Sequence, residues 1–129
     1  MSETLGVSLR ILIVDDCDLI RRGIVGLLRG ETSWAICGEA RSSREAVEKA
    51  HATVPDVVLL DVNLPDAKLS ETAHLIRQRA PQASLVMMSA NSPAVISVVG
   101  HQAGVHAWLD KSRIASDLVP IIRKLSNHT

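Results

Sequence analysis

Val57-Val58-Leu59-Leu60-Asp61-Val62-Asn63-Leu64-Pro65 is an apolar run that ends on one carboxylate and then breaks at a proline. Four consecutive aliphatic residues fit a strand covered on both faces, as strands of a parallel sheet are, and Pro65 cannot donate to a sheet ladder. The stretch therefore reads as a strand that carries Asp61 to the edge of a sheet. Asp61 is the first candidate for a functional side chain.

The same pattern recurs on either side. Leu9 to Val14 (LRILIV) is a second nearly continuous aliphatic run with Asp15-Asp16 at its end; Trp34 to Cys37 is a short strand; Ser84 to Met88 ends on Ser89; His106 to Leu109 ends in Asp110-Lys111. Between these runs the period changes to that of a helix. Ile20, Ile24, Leu27 and Leu28 recur at i, i+4, i+7 and i+8 behind Asp18 as N-cap, and Gly30 stops the stripe. Ser42 and Glu45 have the spacing of a capping box ahead of Ala46, Val47 and Ala50, with Pro55 beyond. Leu69, Ala73 and Ile76 mark a third helix closed by Pro81, and Ala94 to Gln102 predicts a weaker fourth. Asp117 as N-cap of a last helix, reaching about Leu125, would place Pro120 in its first turn, where the missing N–H costs little. Five strands alternating with five helices predict an α/β, doubly wound domain with a mostly parallel five-stranded sheet.

Composition narrows the function classes. A chain of 129 residues with 47% hydrophobic content predicts a single domain spanning 1–129 with one substantial core, about residues 8–126. Lys plus Arg and Asp plus Glu number 14 each, so no overall field favours nucleic acid or a membrane surface. With no Phe or Tyr, Trp34 and Trp108 are the aromatics available, which argues against a base-stacking surface. No apolar run is long enough to span a bilayer and Met1-Ser2-Glu3-Thr4 lacks the features of a secretory signal, so a cytoplasmic location is expected. Cys17 and Cys37 have no CxxC spacing and read as reduced thiols; the histidines at 51, 74, 101, 106 and 128 have no metal-ligand spacing.

In doubly wound sheets ligands bind beyond the carboxyl ends of the strands, so Asp15, Asp16, Asp61, Ser89 and Lys111 should share one pocket. Crowded carboxylates repel and raise one another's pKa unless a cation offsets them. All-oxygen ligands suit Mg²⁺, which needs few protein ligands because it keeps several waters. A carboxylate can also attack phosphorus to give an aspartyl phosphate, and Asp61, alone at its strand end, is the best placed to do so. The Lys111 ammonium and Ser89 hydroxyl could then stabilise the charge on the transferred oxygens.

With these residues the chain resembles a response-regulator receiver domain of two-component signalling, whose flavodoxin-like (βα)5 fold the alternating pattern matches. The text ILIVDDCDLIRRGI, WAICGEA and PDVVLLDVNLP is further similar to receiver domains of NarL/LuxR-type transcriptional regulators. The resemblance implies that Asp61 is the phosphoacceptor, Asp15-Asp16 the acidic pair, Ser89 the switch hydroxyl, Lys111 the phosphate-pairing lysine and Trp108 the switch aromatic. It also implies that Asp16, Asp61 and the Asn63 backbone carbonyl contact Mg²⁺, with Asp15 acting through water. A sensor histidine kinase would be the phosphodonor. A homodimer or partner surface is expected on the fourth helix, fifth strand and fifth helix, or on a face of the first and fifth helices. The chain itself is expected not to bind DNA, although it would serve a transcriptional output domain.

Two departures stand out. Leu69 occupies a position where the family usually has glycine, which predicts a different turn or backbone strain, and Asp66-Ala67-Lys68 replaces a Gly-Met-Asp-like turn. Two other function classes stay open. One is a pseudo-receiver, an interaction module not controlled by phosphorylation. The other is a haloacid-dehalogenase-like phosphatase using Asp16, from the spacing Asp16-Cys17-Asp18, although that resemblance would want Gly-Thr in place of Leu19-Ile20.

Overall fold

The computed structural model describes residues 8–90 and 104–126. Its sheet consists of β1 (Leu9–Val14), β2 (Trp34–Ala40), β3 (Val57–Asp61), β4 (Ser84–Ser89) and β5 (Ala107–Asp110), all parallel, in the spatial order β2-β1-β3-β4-β5. The chain first steps outward from β1 to β2 and then returns to the other side of β1 for β3. That reversal opens a crevice at the carboxyl ends of β1 and β3.

Helices α1 (Asp18–Leu28), α2 (Ser43–Thr53), α3 (Leu69–Arg79) and α4 (Ile114–Ser126) connect and cover the strands. The fourth helix expected over Ala94 to Gln102 lies outside the described residues. Side chains alternate across a strand, so the continuous aliphatic runs feed two cores. Leu12, Val14, Val58, Leu60, Leu85 and Met87 pack under Ala46 and Ala50 of α2 and Leu69, Ala73 and Ile76 of α3. Ile11, Ile13, Leu59, Val86, Met88 and Leu109 pack under Ile24 and Leu28 of α1 and Leu118 and Ile122 of α4.

Several boundaries differ from the sequence reading for physical reasons. β2 continues past Cys37 to Ala40, with a register break between Ile11, which faces Ile36, and Leu12, which faces Gly38. The extra residue is a β-bulge at Cys37. Gly38 fits there because a Cβ would stand 3.2 Å from the Leu12 side chain. Asp18 is the first helical residue of α1, and Cys17 occupies the cap position without a side-chain cap bond. Ser42 accepts from the Glu45 N–H as expected, but the Glu45 carboxylate accepts from the Arg41 N–H, not from Ser42. Asp117 is not a cap: Asp110 accepts from the Ser112 N–H at 2.9 Å and starts a 3-10 turn, Lys111–Arg113, that runs directly into α4. Pro120 therefore lies inside α4, on its exposed side.

Candidate functional site

Two strand ends deliver buried acids by the same local device. Asp15 follows β1, is fully buried, and its Oδ1 accepts the Cys17 N–H at 2.9 Å. Asp61 closes β3, is 2% exposed, and its Oδ1 accepts the Asn63 N–H at 3.0 Å. An aspartate that bonds the backbone two residues on folds the chain away from the sheet while holding its own carboxylate in place. Asp16 sits on the rim, exposed. Lys111, the first residue after β5, reaches back across the strand ends, and its Nζ stands 2.9 Å from Asp15 Oδ2 and 3.1 Å from Asp61 Oδ1. Ser89 ends β4, is fully buried, and is in register with Asp110 of β5.

Charge is scarce and costly here. Burial is the largest influence on Asp61 and, together with the Asp15 charge, holds its carboxyl above the usual carboxylate range, against the opposing effects of the Asn63 N–H and Lys111. Burial also works against the Lys111 charge, yet the contact with Asp15 and the charges of both carboxylates outweigh it and keep the lysine above its ordinary value. One ammonium thus serves two buried carboxylates.

The same residues offer a cation site. Asp15, Asp16 and Asp61 each present a carboxylate oxygen, and these oxygens lie within 4.8 Å of one another. Among the described residues Asp15 Oδ2 is buried without a hydrogen-bond donor: the Lys111 ammonium stands 2.9 Å away as an ion-pair partner, outside hydrogen-bonding geometry. A buried carboxylate oxygen in that position retains unused ligating capacity, and an all-carboxylate set suits a hard divalent ion.

The sequence pattern of the response regulator receiver domain matches residues 11–123, from within β1 into α4. This chain belongs to that family. Among curated relatives, the response regulator protein VraR of Staphylococcus saprophyticus is 29% identical over 122 residues, which are 95% of this chain and 58% of VraR. VraR of Staphylococcus aureus is 29% identical over 120 residues, 57% of its length, so this receiver domain spans a little over half of the relatives it matches. Among solved structures, the signal receiver domain of NarL from Mycobacterium tuberculosis superposes with a TM-score of 0.85 at 26% identity, covering 95% of this chain and 99% of that one. A LuxR-family two-component response regulator from Aurantimonas sp. SI85-9A1 gives 0.84 at 27% identity, covering 92% and 85%.

In this receiver domain Asp15, Asp16, Asp61 and Lys111 come together at one crevice, and Ser89 ends the neighbouring strand. Asn63 is exposed in the loop after β3. Trp108 lies on β5, the edge strand, 40% exposed and in register with Met87. Leu69 brings no strain: it is a buried first residue of α3, and the non-glycine with positive φ among the described residues is Val54. The different turn expected from Leu69 is thus a helix that starts on a core residue. Two side chains near the crevice escape a reading of the sequence. Arg21 of α1 donates from Nη1 to the Asp15 carbonyl at 2.6 Å. Asp66 accepts from the Ser43 and Arg44 N–H groups at 2.8 and 3.1 Å, clasping the loop after β3 to the start of α2. The signal for Arg21 is a cation at the positive end of a helix, where the dipole disfavours it. Asp66 carries no local signal, because its partners are 23 and 22 residues away.

Proposed function

We propose that this receiver domain accepts a phosphoryl group on Asp61 from a sensor histidine kinase in the cytoplasm and relays the change to a DNA-binding output segment. The observation that carries the reading is a buried Asp61 at the crevice between β1 and β3, with Asp15 and Asp16 beside it and Lys111 paired to it. Both described contacts of Asp61 fall on Oδ1, so Oδ2 is assigned as the nucleophile. Its lone pair forms the new P–O bond as the P–N bond of a phosphohistidine breaks; the electron pair of that bond returns to the imidazole nitrogen, which takes up a proton. With an acyl phosphate the bond broken is P–O and the acyl carboxylate leaves.

Asp16, Asp61 and the Asn63 carbonyl are assigned to Mg²⁺, with Asp15 acting through water; when bound, the ion supplies charge stabilisation to the transferring oxygens. Lys111 exchanges its Asp61 partner for a phosphoryl oxygen, and the Ser89 hydroxyl donates to another. The domain serves its own phosphotransfer and is not a turnover enzyme. The readout lies on the predicted fourth helix, β5 and α4, where Trp108 stands at the exposed edge, or on a face of α1 and α4, as a homodimer or partner contact. Neither rival class has comparable support: Asp16, the phosphatase nucleophile, is exposed on the rim, and the acidic set of a receiver is complete.

The test is labelling of the full chain with a small acyl phosphate and Mg²⁺, followed by intact mass and peptide mapping. Stoichiometric label on Asp61, lost in Asp61→Asn, is the expected result. Continuous phosphate release through Asp16 would establish the phosphatase instead, and absence of label in the unaltered chain would establish a pseudo-receiver.

A further inference from the structure

Arg21 occupies the first turn of α1, near the positive end of the helix, where a cation gains nothing from the dipole. Its side chain is nevertheless only 11% exposed, and its guanidinium reaches three segments at once. Nε donates to Glu39 Oε1 of β2 at 3.2 Å, Nη2 pairs with Asp18 Oδ1 in α1, and Nη1 donates to the carbonyl oxygen of Asp15 at 2.6 Å. The two carboxylate contacts would be explained by a structural brace between α1 and β2. The third contact is of another kind, because the Asp15 carbonyl belongs to the peptide that joins the two acids of the crevice.

The two peptides that flank Asp16 are each held at one point. Arg21 holds the carbonyl of the Asp15–Asp16 peptide, and the N–H of the following Asp16–Cys17 peptide is held by the Asp15 carboxylate at 2.9 Å. Asp16, the exposed member of the three acids, is suspended between these two points. A guanidinium fork suits this position, since Glu39 and Asp18 already balance its charge, and the arm that meets Asp15 bonds a neutral carbonyl and takes no carboxylate from the crevice.

We infer that Arg21 is a positioning residue for cation binding, setting the direction of the Asp15–Asp16 peptide so that the Asp16 carboxylate faces the crevice. The inference rests on the function proposed above, and its test separates the two. The full chain is titrated with Mg²⁺ alone by calorimetry, and Asp61 labelling by an acyl phosphate is followed at each Mg²⁺ concentration. Three variants are compared: Arg21→Met, which removes every contact; Arg21→Lys, which can restore a single bond to the carbonyl; and Glu39→Gln, which weakens the brace and leaves the carbonyl bond in place.

Loss of an outer-shell partner typically weakens metal affinity by about 10–100-fold, and an effect passed through one peptide should lie near the low end. Arg21→Met is expected to raise the Mg²⁺ dissociation constant about tenfold, Arg21→Lys less, and Glu39→Gln by less than about twofold, although Arg21→Met and Glu39→Gln both lower the melting temperature. An Arg21→Met affinity equal to that of the unaltered chain overturns the inference, as does a Glu39→Gln loss as large as that of Arg21→Met. If circular dichroism shows Arg21→Met unfolded, the order of Arg21→Lys and Glu39→Gln decides in its place. An unaltered chain that binds no Mg²⁺ and takes no label overturns the proposed function as well.

Discussion

Replacing Leu69 by glycine would restore the residue that the family usually carries, and it should nevertheless weaken this protein. Leu69 begins α3 and is 8% exposed, in one cluster with Leu64, Ala73 and Ile76. Its backbone has no positive φ for a glycine to relieve. Truncating a buried leucine to alanine costs about 2.7–5.0 kcal/mol, and a site at a helix start beside a loop collapses better than a central one, so the lower half of that range applies. Glycine adds roughly 0.5–1 kcal/mol over alanine through backbone freedom. The total, about 3–5 kcal/mol, is a large part of the roughly 5–15 kcal/mol that holds a domain folded. With an unfolding entropy of about 2.1 cal/mol/K per residue over 129 residues, the melting temperature should fall by about 12–18 °C. Urea unfolding checks the value, with the midpoint moving and the slope unchanged. A variant as stable as the parent would show that this position needs a glycine conformation and that Leu69 contributes no core.

Three other outcomes are expected. Val54 caps α2 with φ 49 and ψ 67; a residue with a Cβ is destabilised there by about 1–2 kcal/mol, less about 0.4–1 for glycine's freedom in the unfolded chain. Val54→Gly should therefore be more stable than Val54→Ala by roughly 0.5–1 kcal/mol in urea, the reverse of the usual order, and a more stable alanine variant would contradict it. Burial and Asp15 hold the folded pKa of Asp61 above its unfolded value, so the ionised form costs stability above the folded pKa, and that cost disappears as pH falls below about 3.9. Without divalent cations, Asp61→Asn should melt higher than the parent at neutral pH, with the gap closing toward pH 4; a gap independent of pH counts against the assigned cause. His106 Nδ1 accepts the Leu85 N–H at 3.0 Å, and burial followed by the Arg77 charge keeps its pKa below the ordinary value. The unfolded chain protonates first, so stability should drop as pH falls from about 6.5 toward the folded pKa. Loss of this slope in His106→Gln is the check, and a slope that survives there assigns the pH dependence to another group.

How far the sequence can be read follows from which interactions are local. The runs ending at Val14, Asp61 and Ser89 are continuous because parallel strands are covered on both faces, so a stretch of aliphatic residues announces them, and the rule for strand ends then gathers Asp15, Asp61, Ser89 and Lys111. Leu69, Ala73 and Ile76 give α3 its start and its buried face in the same way. β2 reads as too short because it is an edge strand, mostly half-buried, and Gly38 and Glu39 pair through their backbones without an apolar signal. Pro120 reads as a first-turn residue because a helix interior disfavours it, but the capping bond of Asp110 begins the helical run several residues earlier. Arg21 and Asp66 are hidden for a different reason. Each acts by reaching a backbone group on another element, and residue spacing along the chain does not encode that reach.

The crevice separates acids from donors by strand, and under the proposed function this division determines where the signal emerges. Asp15 and Asp16 follow β1 and Asp61 closes β3, held by Cys17, Asn63 and Arg21. Ser89 and Lys111 belong to β4 and the end of β5, in register with one another through Ser89 and Asp110. Among the described residues, three carboxylates and one ammonium leave the resting crevice acidic, which a divalent ion can offset. Phosphorylation then replaces one carboxylate charge with a group carrying roughly −1.5 to −2, a net change of about 0.5–1 charge. Repulsion of that size does not reshape a packed sheet, but the position of the charge does change: it moves from Asp61 Oδ1, 3.1 Å from Lys111, to oxygens beyond it. The acids are pinned at the centre of the sheet, so the donors must follow the charge. Lys111 opens the turn that leads into α4, and any displacement of its ammonium is drawn from the end of β5 and the start of that helix. Under the proposed function, the side of the domain expected to move is therefore the side that supplies the donors, β4, β5 and α4, while β1, α1 and β3 hold the nucleophile.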